Sequence, residues 1–287
     1  MMNTADSVRS WFAGRQVVIA TRHRKEAVLA PLLESELGLR PFVMEDFDTD
    51  RFGTFSGEIE RVHDAVTTLR LKCAAAMDQS GCDLAVASEG SYGAHPVLWM
   101  LPAAEEWVMI SDRKNHLEVV EHELSTDTNY AMATVGSVEA LEKFAAKVKF
   151  PSHGLILRKG NGPGASLVKG ITDRDQLMNS FKDLEADDGD VQVETDMRAV
   201  YNPTRMRVIK KAAEKLLAKL HNCCPRCATP GFGITGAVKG RPCSRCHTPT
   251  ASLLAYEQEC PRCAYKERMP LHDGLPEDPM YCEICNP

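Results

Sequence analysis

The chain has 287 residues, of which 44% are hydrophobic, and its formal net charge is −6. That length suffices for one large domain and a small one, and the negative charge gives no reason to expect a polyanion as partner. No window of about 18 continuous apolar residues predicts a membrane span, and residues 1–14 lack the apolar core of a secretory signal. We therefore expect a cytoplasmic protein without membrane attachment, whose thiols stay reduced.

The first predicted strand covers residues 16–20, a short apolar run, and a helix with apolar residues at helical spacing follows over 27–37. Strand, polar turn and helix form the opening of an α/β domain. The turn carries Thr21, Arg22 and Lys25 at the start of the helix, where backbone amides and the helix dipole attract anions. A solvated basic turn is the alternative, and the residues leave the two interpretations evenly balanced.

An irregular stretch covers residues 46–58, in which five charges, three aromatic residues and two glycines occur without periodicity. Such a stretch is typical of a shaped loop, and loops on α/β scaffolds often carry function. The next helix is predicted over 59–77, where apolar residues recur at helical spacing. A second buried strand is predicted over 83–87.

The second strand ends in a polar segment that contains Ser88, Glu89 and Ser91. A carboxylate at the carboxyl end of a strand lies where open α/β sheets bind ligands. Glu89 is therefore our leading candidate for a metal ligand or a general base. The alternative is a glutamate that is merely exposed in a turn.

The rest of the large domain continues the alternation of strands and helices. The patterns predict a hairpin over 106–122, a helix over 137–149, a strand over 154–158 and a helix over 172–184. A strand over 191–199 follows, and its period of two places three ionisable residues on one face: Glu194, Asp196 and Arg198. Asn202 then caps a helix that has Pro203 at its first position and Arg205 in its first turn. This convergence favours a binding site over a salt-bridged surface.

The C-terminal 67 residues hold nine of the 11 cysteines. Eight of them form four Cys-x-x-Cys pairs: Cys224 and Cys227, Cys243 and Cys246, Cys260 and Cys263, Cys282 and Cys285. Two such pairs complete a tetrahedral four-sulfur site, so eight ligands predict two closed structural zinc sites. A disulfide framework is disfavoured by the odd number of cysteines and the missing export signal.

The pairing of the four knuckles is less constrained than their chemistry. Sequential pairing would close one ribbon over 224–246 and another over 260–285, and we favour it because each loop is then short. Nested or crossed pairing remains open. Cys223 is interpreted as a spare thiol that could replace Cys224. The acidic and basic side chains of the tail balance, so nucleic acid is disfavoured as its partner.

The order of elements in the N-terminal domain resembles the house-cleaning nucleoside triphosphate pyrophosphatases of the inosine triphosphatase and Maf-like fold. Four places carry the resemblance: Ile19–Ala20–Thr21 with Lys25; Glu58, Asp64 and Lys72; residues 87–91; and residues 150–156 with 202–205. In that family these places supply a phosphate-binding turn, acidic metal ligands with a basic group, an acidic strand-end loop, and groups that recognise base and phosphate. The whole chain, with its ending 278–282, also resembles a bacterial family of unknown function that carries a C-terminal double zinc ribbon.

We therefore expect an α/β fold with a mixed sheet flanked by helices over residues 1–220, followed by a double zinc-ribbon domain over 221–287. The resemblance implies a metal-dependent hydrolase or binder of a phosphorylated small molecule, a nucleotide above all. Two zinc ions are expected as structural cofactors, and Mg²⁺ is the metal expected at the site. The competing hypothesis is a non-enzymatic adaptor or sensor whose zinc ribbons dock a protein or nucleic acid.

The candidate residues divide into two groups by role. Metal binding and catalysis are assigned to Glu89 with Asp64 or Glu58. Phosphate and ligand contacts are assigned to Thr21, Arg22, Lys25, Lys72, Ser88, Ser91, Glu194, Asp196, Arg198, Asn202 and Arg205. The hypothesis also allows a homodimer, in which a second copy of the chain is the macromolecular partner.

Overall fold

A computed structural model describes residues 4–53, 62–160, 165–185, 190–271 and 274–287. The backbone divides into two units. We call residues 12–216 the α/β unit, and residues 1–11 together with 217–287 the Cys-rich unit. The predicted α/β class with a mixed sheet, helices and a C-terminal Cys-rich region is confirmed. The inosine triphosphatase-like topology stays a prediction.

Helices and strands alternate up to residue 94, and runs of consecutive strands occur after it. The helices are α1 (Thr4–Phe12), α2 (Glu26–Leu37), α3 (Ala65–Ser80), α4 (Val138–Lys147), α5 (Arg174–Glu185) and α6 (Pro203–His221). The strands are β1 (Gln16–Ala20), β2 (Arg40–Phe42), β3 (Leu84–Ala94), β4 (Pro102–Asp112), β5 (Leu117–Ser125), β6 (Met132–Val135), β7 (Leu155–Lys159), β8 (Ser166–Ile171), β9 (Val191–Thr195), β10 (Gly233–Lys239), β11 (Leu253–Glu259) and β12 (Lys266–Pro270). None of the described helices is both long and apolar enough to cross a bilayer.

The first sheet of the α/β unit has the strand order β2-β1-β3-β4-β5. Strands β2, β1 and β3 are parallel, whereas β3, β4 and β5 form an antiparallel meander. The parallel step from β1 to β3 needs a long crossover, and it contains two helices. Because β1 and β3 run in the same direction, Ala20 and Ala87 are partners near the same edge of the sheet. The polar residues that follow both positions therefore meet at that edge.

Helix α3 packs against this sheet through one continuous stripe. Its buried residues recur three or four positions apart and include Leu69, Cys73 and Met77, and they form a core with Val18 and Ala85 of the sheet. The same helical period places one charged residue, Lys72, on the buried stripe. A buried amine at that position requires a partner from the sheet.

The second sheet of the α/β unit is antiparallel throughout, with the order β6-β9-β7-β8. Its core combines strand residues with α4 and α5 through Leu141, Leu155, Leu177 and Phe181, all buried. Strand β9 ends at Thr195, earlier than the predicted 199, since a 3-10 turn follows over Ala199–Tyr201. The predicted cap of α6 is present.

The Cys-rich unit contains the antiparallel sheet β10-β11-β12. Its apolar cluster is small: Phe232 packs with Cys224 and Cys260. Every residue of β12 is exposed. The guanidinium of Arg262 lies 5.7 Å from the ring centre of Trp11, a cation–π contact that fastens the N-terminal segment to the unit. So small a core cannot hold 67 residues together by apolar burial alone.

Candidate functional site

A cavity of about 360 Å³ opens in the α/β unit where β1 and β9 end, beside the middle of β3. Its described lining contains six cationic side chains, Arg22, Lys25, Lys72, Lys169, Arg198 and Arg205. Four carboxylates oppose them, Asp50, Glu89, Glu194 and Asp196. His23 also lines the cavity, and burial lowers its pKa to about 4, so its imidazole is neutral at pH 7. The described lining is therefore net positive when Lys25 is protonated.

Lys25 is the buried amine of the turn between β1 and α2. Its Nζ donates a hydrogen bond to the carbonyl oxygen of Ser88 at 3.2 Å, and no carboxylate lies within ion-pair distance of it among the described residues. Burial lowers the pKa of Lys25 to about 7, and the positive charges of Arg205 and Lys72 act in the same direction. An anion that enters the cavity would supply the missing counter-charge.

Glu89 and Lys72 form a buried ion pair, with Glu89 on β3 and Lys72 on α3. Both side chains are less than one tenth exposed. Glu89 lies within β3 because that strand continues to Ala94, beyond the predicted end at 87. The alternative interpretation, a glutamate exposed in a turn, is therefore wrong.

A second buried ion pair joins strands to α6. Arg205 donates from Nε to Glu106 Oε1 at 2.7 Å and from Nη2 to Glu106 Oε2 at 3.3 Å, and both side chains are fully buried. Burial opposes the charged form of Arg205, but Glu106 outweighs that effect and raises the pKa of the guanidinium. Tyr92 donates its hydroxyl to Glu106 Oε1 at 2.5 Å, and burial raises the pKa of Tyr92. This carboxylate therefore holds two residues of the cavity lining in place.

Gly90 leaves the space that Glu106 occupies. The two residues are partners in the β3–β4 ladder, and a Cβ atom on residue 90 would lie 2.4 Å from Glu106 Oε1. Any larger residue would displace the carboxylate. The glycine is therefore required by the ion pair across the sheet.

The end of β9 contributes a third group of charges. Asp196 is fully buried and accepts hydrogen bonds from the backbone amides of Gly170 and Arg198, each at 3.0 Å. The guanidinium of Arg198 binds the same carboxylate at 2.5 Å and lies 4.6 Å from the ring centre of Tyr201. Burial raises the pKa of the neighbouring Glu194. These contacts make Asp196 the anchor of this wall of the cavity.

The structure thus brings together most of the residues predicted to bind ligand. Those in the cavity lining are Thr21, Arg22, Lys25, Lys72, Glu89, Ser91, Glu194, Asp196, Arg198 and Arg205. Ser88 and Asn202 lie outside the lining. Ser88 Oγ is buried without a hydrogen-bond partner in the described part of the chain. Asn202 Oδ1 caps α6 by accepting from the amide of Arg205 at 2.9 Å.

One of the predicted acidic metal ligands is placed elsewhere, and another lies outside the described residues. Asp64 caps α3, where its carboxylate accepts from Thr67 N at 2.9 Å and from Thr67 Oγ1 at 2.7 Å. These hydrogen bonds lower the pKa of Asp64. Glu58 lies outside the described residues. Glu89 is then the one predicted acidic ligand that the described structure places in the cavity, so binding of Mg²⁺ stays a prediction.

Sequence patterns missed several residues of this site. Glu106 follows Glu105 in an otherwise apolar strand segment, and the sequence does not indicate which of the two carboxylates is buried. Tyr130 stacks on Tyr92 with ring centres 5.7 Å apart, and Lys169 enters the cavity from β8. Nothing local in the sequence indicates that these two residues face a cavity, since they come from different strands or loops of the unit.

The Cys-rich unit carries two groups of four cysteines that could each hold a metal ion. In the first group, Cys224 Sγ lies 3.7 Å from Cys263 Sγ and Cys227 Sγ lies 3.6 Å from Cys260 Sγ. In the second group the corresponding distances are 3.9 Å from Cys243 to Cys285 and 3.5 Å from Cys246 to Cys282. A tetrahedral zinc site with Zn–S bonds of about 2.3 Å has sulfur atoms about 3.8 Å apart, whereas a disulfide needs about 2.05 Å. The geometry is therefore consistent with two zinc sites.

All four knuckles share one backbone turn. The amide four residues after the first cysteine donates to that cysteine's carbonyl oxygen, at 2.8 to 3.2 Å. In three knuckles the residue after the second cysteine has positive φ: Ala228, His247 and Ala264. Threonines that follow the second cysteine lower the pKa of Cys227 and of Cys246 to about 6 by hydrogen bonding. These threonines thus favour the thiolate form of Cys227 and Cys246, whereas burial raises the pKa of Cys260 to about 12.

The favoured sequential pairing of knuckles is wrong, because the first knuckle groups with the third and the second with the fourth. The reason lies in the antiparallel sheet. Gly233, at the start of β10, is opposite Glu259, at the end of β11. The knuckle before β10 and the knuckle after β11 therefore meet at one end of the sheet, and the other two meet at the opposite end. Cys223 lies outside both groups.

Residues 72–287, about three quarters of the chain, match the model of a family described as "Domain of unknown function (DUF6671)". The match begins within α3 and includes both cysteine groups. A search of curated proteins found no match to the chain.

Proposed function

The chain belongs to the DUF6671 family, and we propose that its α/β unit binds an anionic, phosphorylated small molecule in the cavity beside Lys25. The observation that carries the proposal is the buried amine of Lys25, which lines a net positive cavity and has a backbone carbonyl as its described hydrogen-bond partner. A buried ammonium group is costly unless an anion accompanies it. A phosphate oxygen at this amine would provide that charge and accept its remaining hydrogen bonds.

The surroundings of Lys25 suit a phosphate group. Lys25 immediately precedes α2, a helix of 12 residues. The N-terminus of this helix therefore lies at the turn that carries Lys25. The dipole of a helix attracts anions to its N-terminus, whereas the amides of Ala27 and Val28 already donate to the carbonyl oxygens of Arg24 and Lys25. Thr21 adds a hydroxyl group to the lining. These groups are the ones that the resemblance to nucleoside triphosphate pyrophosphatases assigns to phosphate binding.

The remainder of the lining suits an organic group attached to the phosphate. The stacked rings of Tyr92 and Tyr130 lie beside Met132, Ile156 and Met197. Such a mixture of aromatic and apolar side chains with a few charged groups is typical of small-molecule pockets, and the volume of about 360 Å³ lies in their usual range. A flat ring, such as the base of a nucleotide, would bury against this wall.

Binding has more support than metal-dependent hydrolysis. Glu89 is paired with Lys72, and within the described residues the groups of three or more acidic, His or Cys side chains that could hold a metal are the two Cys₄ groups. Mg²⁺ usually binds through one or two carboxylates together with substrate phosphates and water. A phosphate ligand could therefore complete a site at Glu89, and hydrolysis is the second candidate that turnover assays must decide.

We also propose that both Cys₄ groups hold structural zinc. Each closes with four sulfur atoms at tetrahedral distances and has no open position for a substrate. The small apolar cluster of the unit explains why a metal is needed for folding. In this proposal the zinc ions stabilise the unit and take no part in chemistry at the cavity.

The test is a thermal-shift screen of the zinc-loaded chain against nucleotides, sugar phosphates and pyrophosphate, with the matching nucleosides and sugars as uncharged controls. A ligand at 100 times its Kd stabilises a protein by about 2.7 kcal/mol. We expect phosphorylated compounds to raise Tm and their uncharged counterparts to have no effect. Lys25→Gln should abolish the shift, whereas Lys143→Gln, at an exposed lysine of α4, should retain it.

Absence of any shift across the panel, or equal shifts from the uncharged counterparts, would contradict the proposal.

Compounds that raise Tm should be incubated with the protein, with and without Mg²⁺, and the release of phosphate or pyrophosphate should be measured. Turnover that requires Mg²⁺ and is lost in Glu89→Gln would extend binding to hydrolysis. Stable recovery of the intact ligand would leave the protein as a binder.

A further inference from the structure

The hairpin between β3 and β4 ends in an exposed apolar tip, which we define as residues 97–101. All five side chains are large and exposed: Val97 78%, Leu98 54%, Trp99 74%, Met100 77% and Leu101 46%. Isolated exposed apolar residues are common on protein surfaces, but five in succession are not. They lie within a segment, 94–104, that contains no Asp, Glu, Lys or Arg.

The backbone of the tip is fixed by hydrogen bonds. The amide of His95 donates to Leu101 O at 2.8 Å, and the amide of Leu101 donates to Leu98 O at 2.8 Å. Nδ1 of His95 accepts from the amides of Val97 and Leu98 at 3.2 and 3.0 Å. The apolar side chains are therefore presented on a shaped turn, which lowers the entropy that a partner must remove on binding.

We propose that the tip is the contact through which two copies of this chain form a dimer. The exposed fractions of the five side chains correspond to roughly 600 Å² of surface, at the upper end of the largest apolar patch found on ordinary monomers. Complete burial of two tips against each other would remove at most about twice that area from water. This upper bound equals the lower limit of stable protein–protein interfaces, about 1,200 Å².

The chemistry of the tip favours a second copy. In a two-fold dimer the same patch meets itself, so charges on the patch would face like charges. The tip has none. A central tryptophan surrounded by aliphatic and methionine side chains is typical of the energetic centre of an interface.

A lipid surface fits the same region less well. Peripheral membrane segments combine exposed apolar residues with lysine and arginine that contact anionic lipids. The charged residues closest to the tip along β4 and β5 are acidic: Glu105, Glu106 and Glu123. Glu106 is paired with Arg205 and Glu123 with Lys215. The formal net charge of the chain, −6, acts in the same direction.

The test is sedimentation velocity of the zinc-loaded full chain over a wide concentration series. We expect a monomer–dimer equilibrium for the parent protein. The double variant Trp99→Ser with Met100→Ser should have a dimer dissociation constant at least about tenfold larger. The matched control is Val62→Ser, which removes an apolar side chain that is 80% exposed outside the tip and should leave the dimer intact. A parent protein that stays monomeric throughout, or a double variant that dimerises as the parent does, overturns the proposal.

Two further measurements keep the test decisive. Hydrogen exchange of the parent protein should slow at residues 94–102 in concentrated samples relative to dilute ones, and equal exchange would contradict a tip-to-tip dimer even if the double variant fails to fold. Phosphatidylcholine vesicles, with and without phosphatidylserine, should not retain the chain. Retention of a monomer that depends on Trp99 would identify the tip as a lipid contact instead and overturn the dimer.

Discussion

The two units of this chain are held together in different ways. The Cys-rich unit has a small apolar cluster, a fully exposed strand β12 and two groups of four sulfur atoms. The described part of the α/β unit contains two large apolar clusters. It also buries two ion pairs at its cavity, Lys72 with Glu89 and Arg205 with Glu106. If its cysteine groups hold zinc as proposed, the Cys-rich unit depends on a few strong metal–sulfur bonds, and each knuckle supplies two ligands that are close in sequence. The α/β unit depends on many weak contacts, and its buried charges come from far apart along the chain.

The largest expected effect is the loss of zinc and stability when one cysteine group of the Cys-rich unit is removed. Changing all four cysteines of one group to serine, at 224, 227, 260 and 263, should leave one zinc ion per chain, because the other group keeps its four ligands. Structural zinc contributes about 10–16 kcal/mol to the folding of small zinc domains, so stability of the unit should fall sharply. Zinc content by mass spectrometry and protease sensitivity of residues 221–287 measure both.

The matched control for that experiment changes cysteines 224, 227, 243 and 246, which belong to both groups. Both sites then lose two ligands, and zinc content should fall to zero. Sequential pairing would reverse the two results. Parent protein with about one zinc ion per chain would contradict the eight-ligand assignment itself.

The next largest effect concerns the contribution of a buried ion pair to the stability of the α/β unit. Glu106→Gln should destabilise this unit by about 3–5 kcal/mol, because it leaves the guanidinium of Arg205 buried without its counter-charge. The double variant with Arg205→Met should lose less than the sum of the single changes. Urea unfolding with separate probes for the two units measures the effect. Additive losses would show that the pair does not act as a unit.

A stabilising change is expected at Lys25. Lys25→Met should raise the stability of the ligand-free protein by roughly 1–4 kcal/mol at pH 6, because it removes a buried ammonium group. The same variant should lose the thermal shift produced by anionic ligands. Such a trade between stability and binding is typical of functional sites.

The pH dependence of this change has a definite sign. The folded state lowers the pKa of Lys25 from its ordinary value of 10.5 to about 7, so the unfolded chain binds more protons between these values and stability rises with pH there. The advantage of Lys25→Met should therefore be full below pH 7 and shrink as the pH rises from 7 to 10. Melting curves at several pH values measure it, and a difference that does not change with pH would contradict a titrating Lys25.

The smallest effect concerns Asp64. Asp64→Ala should lower Tm slightly through loss of the helix cap, whereas Asp64→Asn should keep it, since asparagine caps helices as well as aspartate. Neither change should alter ligand binding. Loss of Mg²⁺-dependent turnover in Asp64→Asn, with an unchanged Tm, would instead restore the metal-ligand role that the sequence pattern assigned to this residue.

The difference between the units also explains what the sequence could predict. The ligands of each zinc knuckle are two residues apart, so their chemistry is visible in a short window. Their pairing depends on the direction of β10 and β11, and loop length alone pointed to the wrong partners. In the cavity, the turn at Thr21–Lys25 and the position of Glu89 followed from strand and helix periodicity.

The supporting residues of the cavity lay beyond local patterns. Glu106 and Arg205 are 99 positions apart, and their contact exists because β4 pairs with β3 beside the first turn of α6. The family resemblance assigned Asp64 to a metal and the predicted helix over 59–77 contained it, but α3 begins at Ala65 and Asp64 caps that helix. Contacts between residues so far apart in sequence are determined by the whole fold, and they leave no periodic signal in the sequence.

The interleaved knuckles impose an order of assembly during synthesis. The first cysteine group is complete once Cys263 has been made, whereas the second must wait for Cys285, which is 22 residues later. At about 5–20 residues per second, this interval lasts on the order of seconds. During that time, a metal ion bound as proposed by the first group would close a loop that contains Cys243 and Cys246, still without their partners.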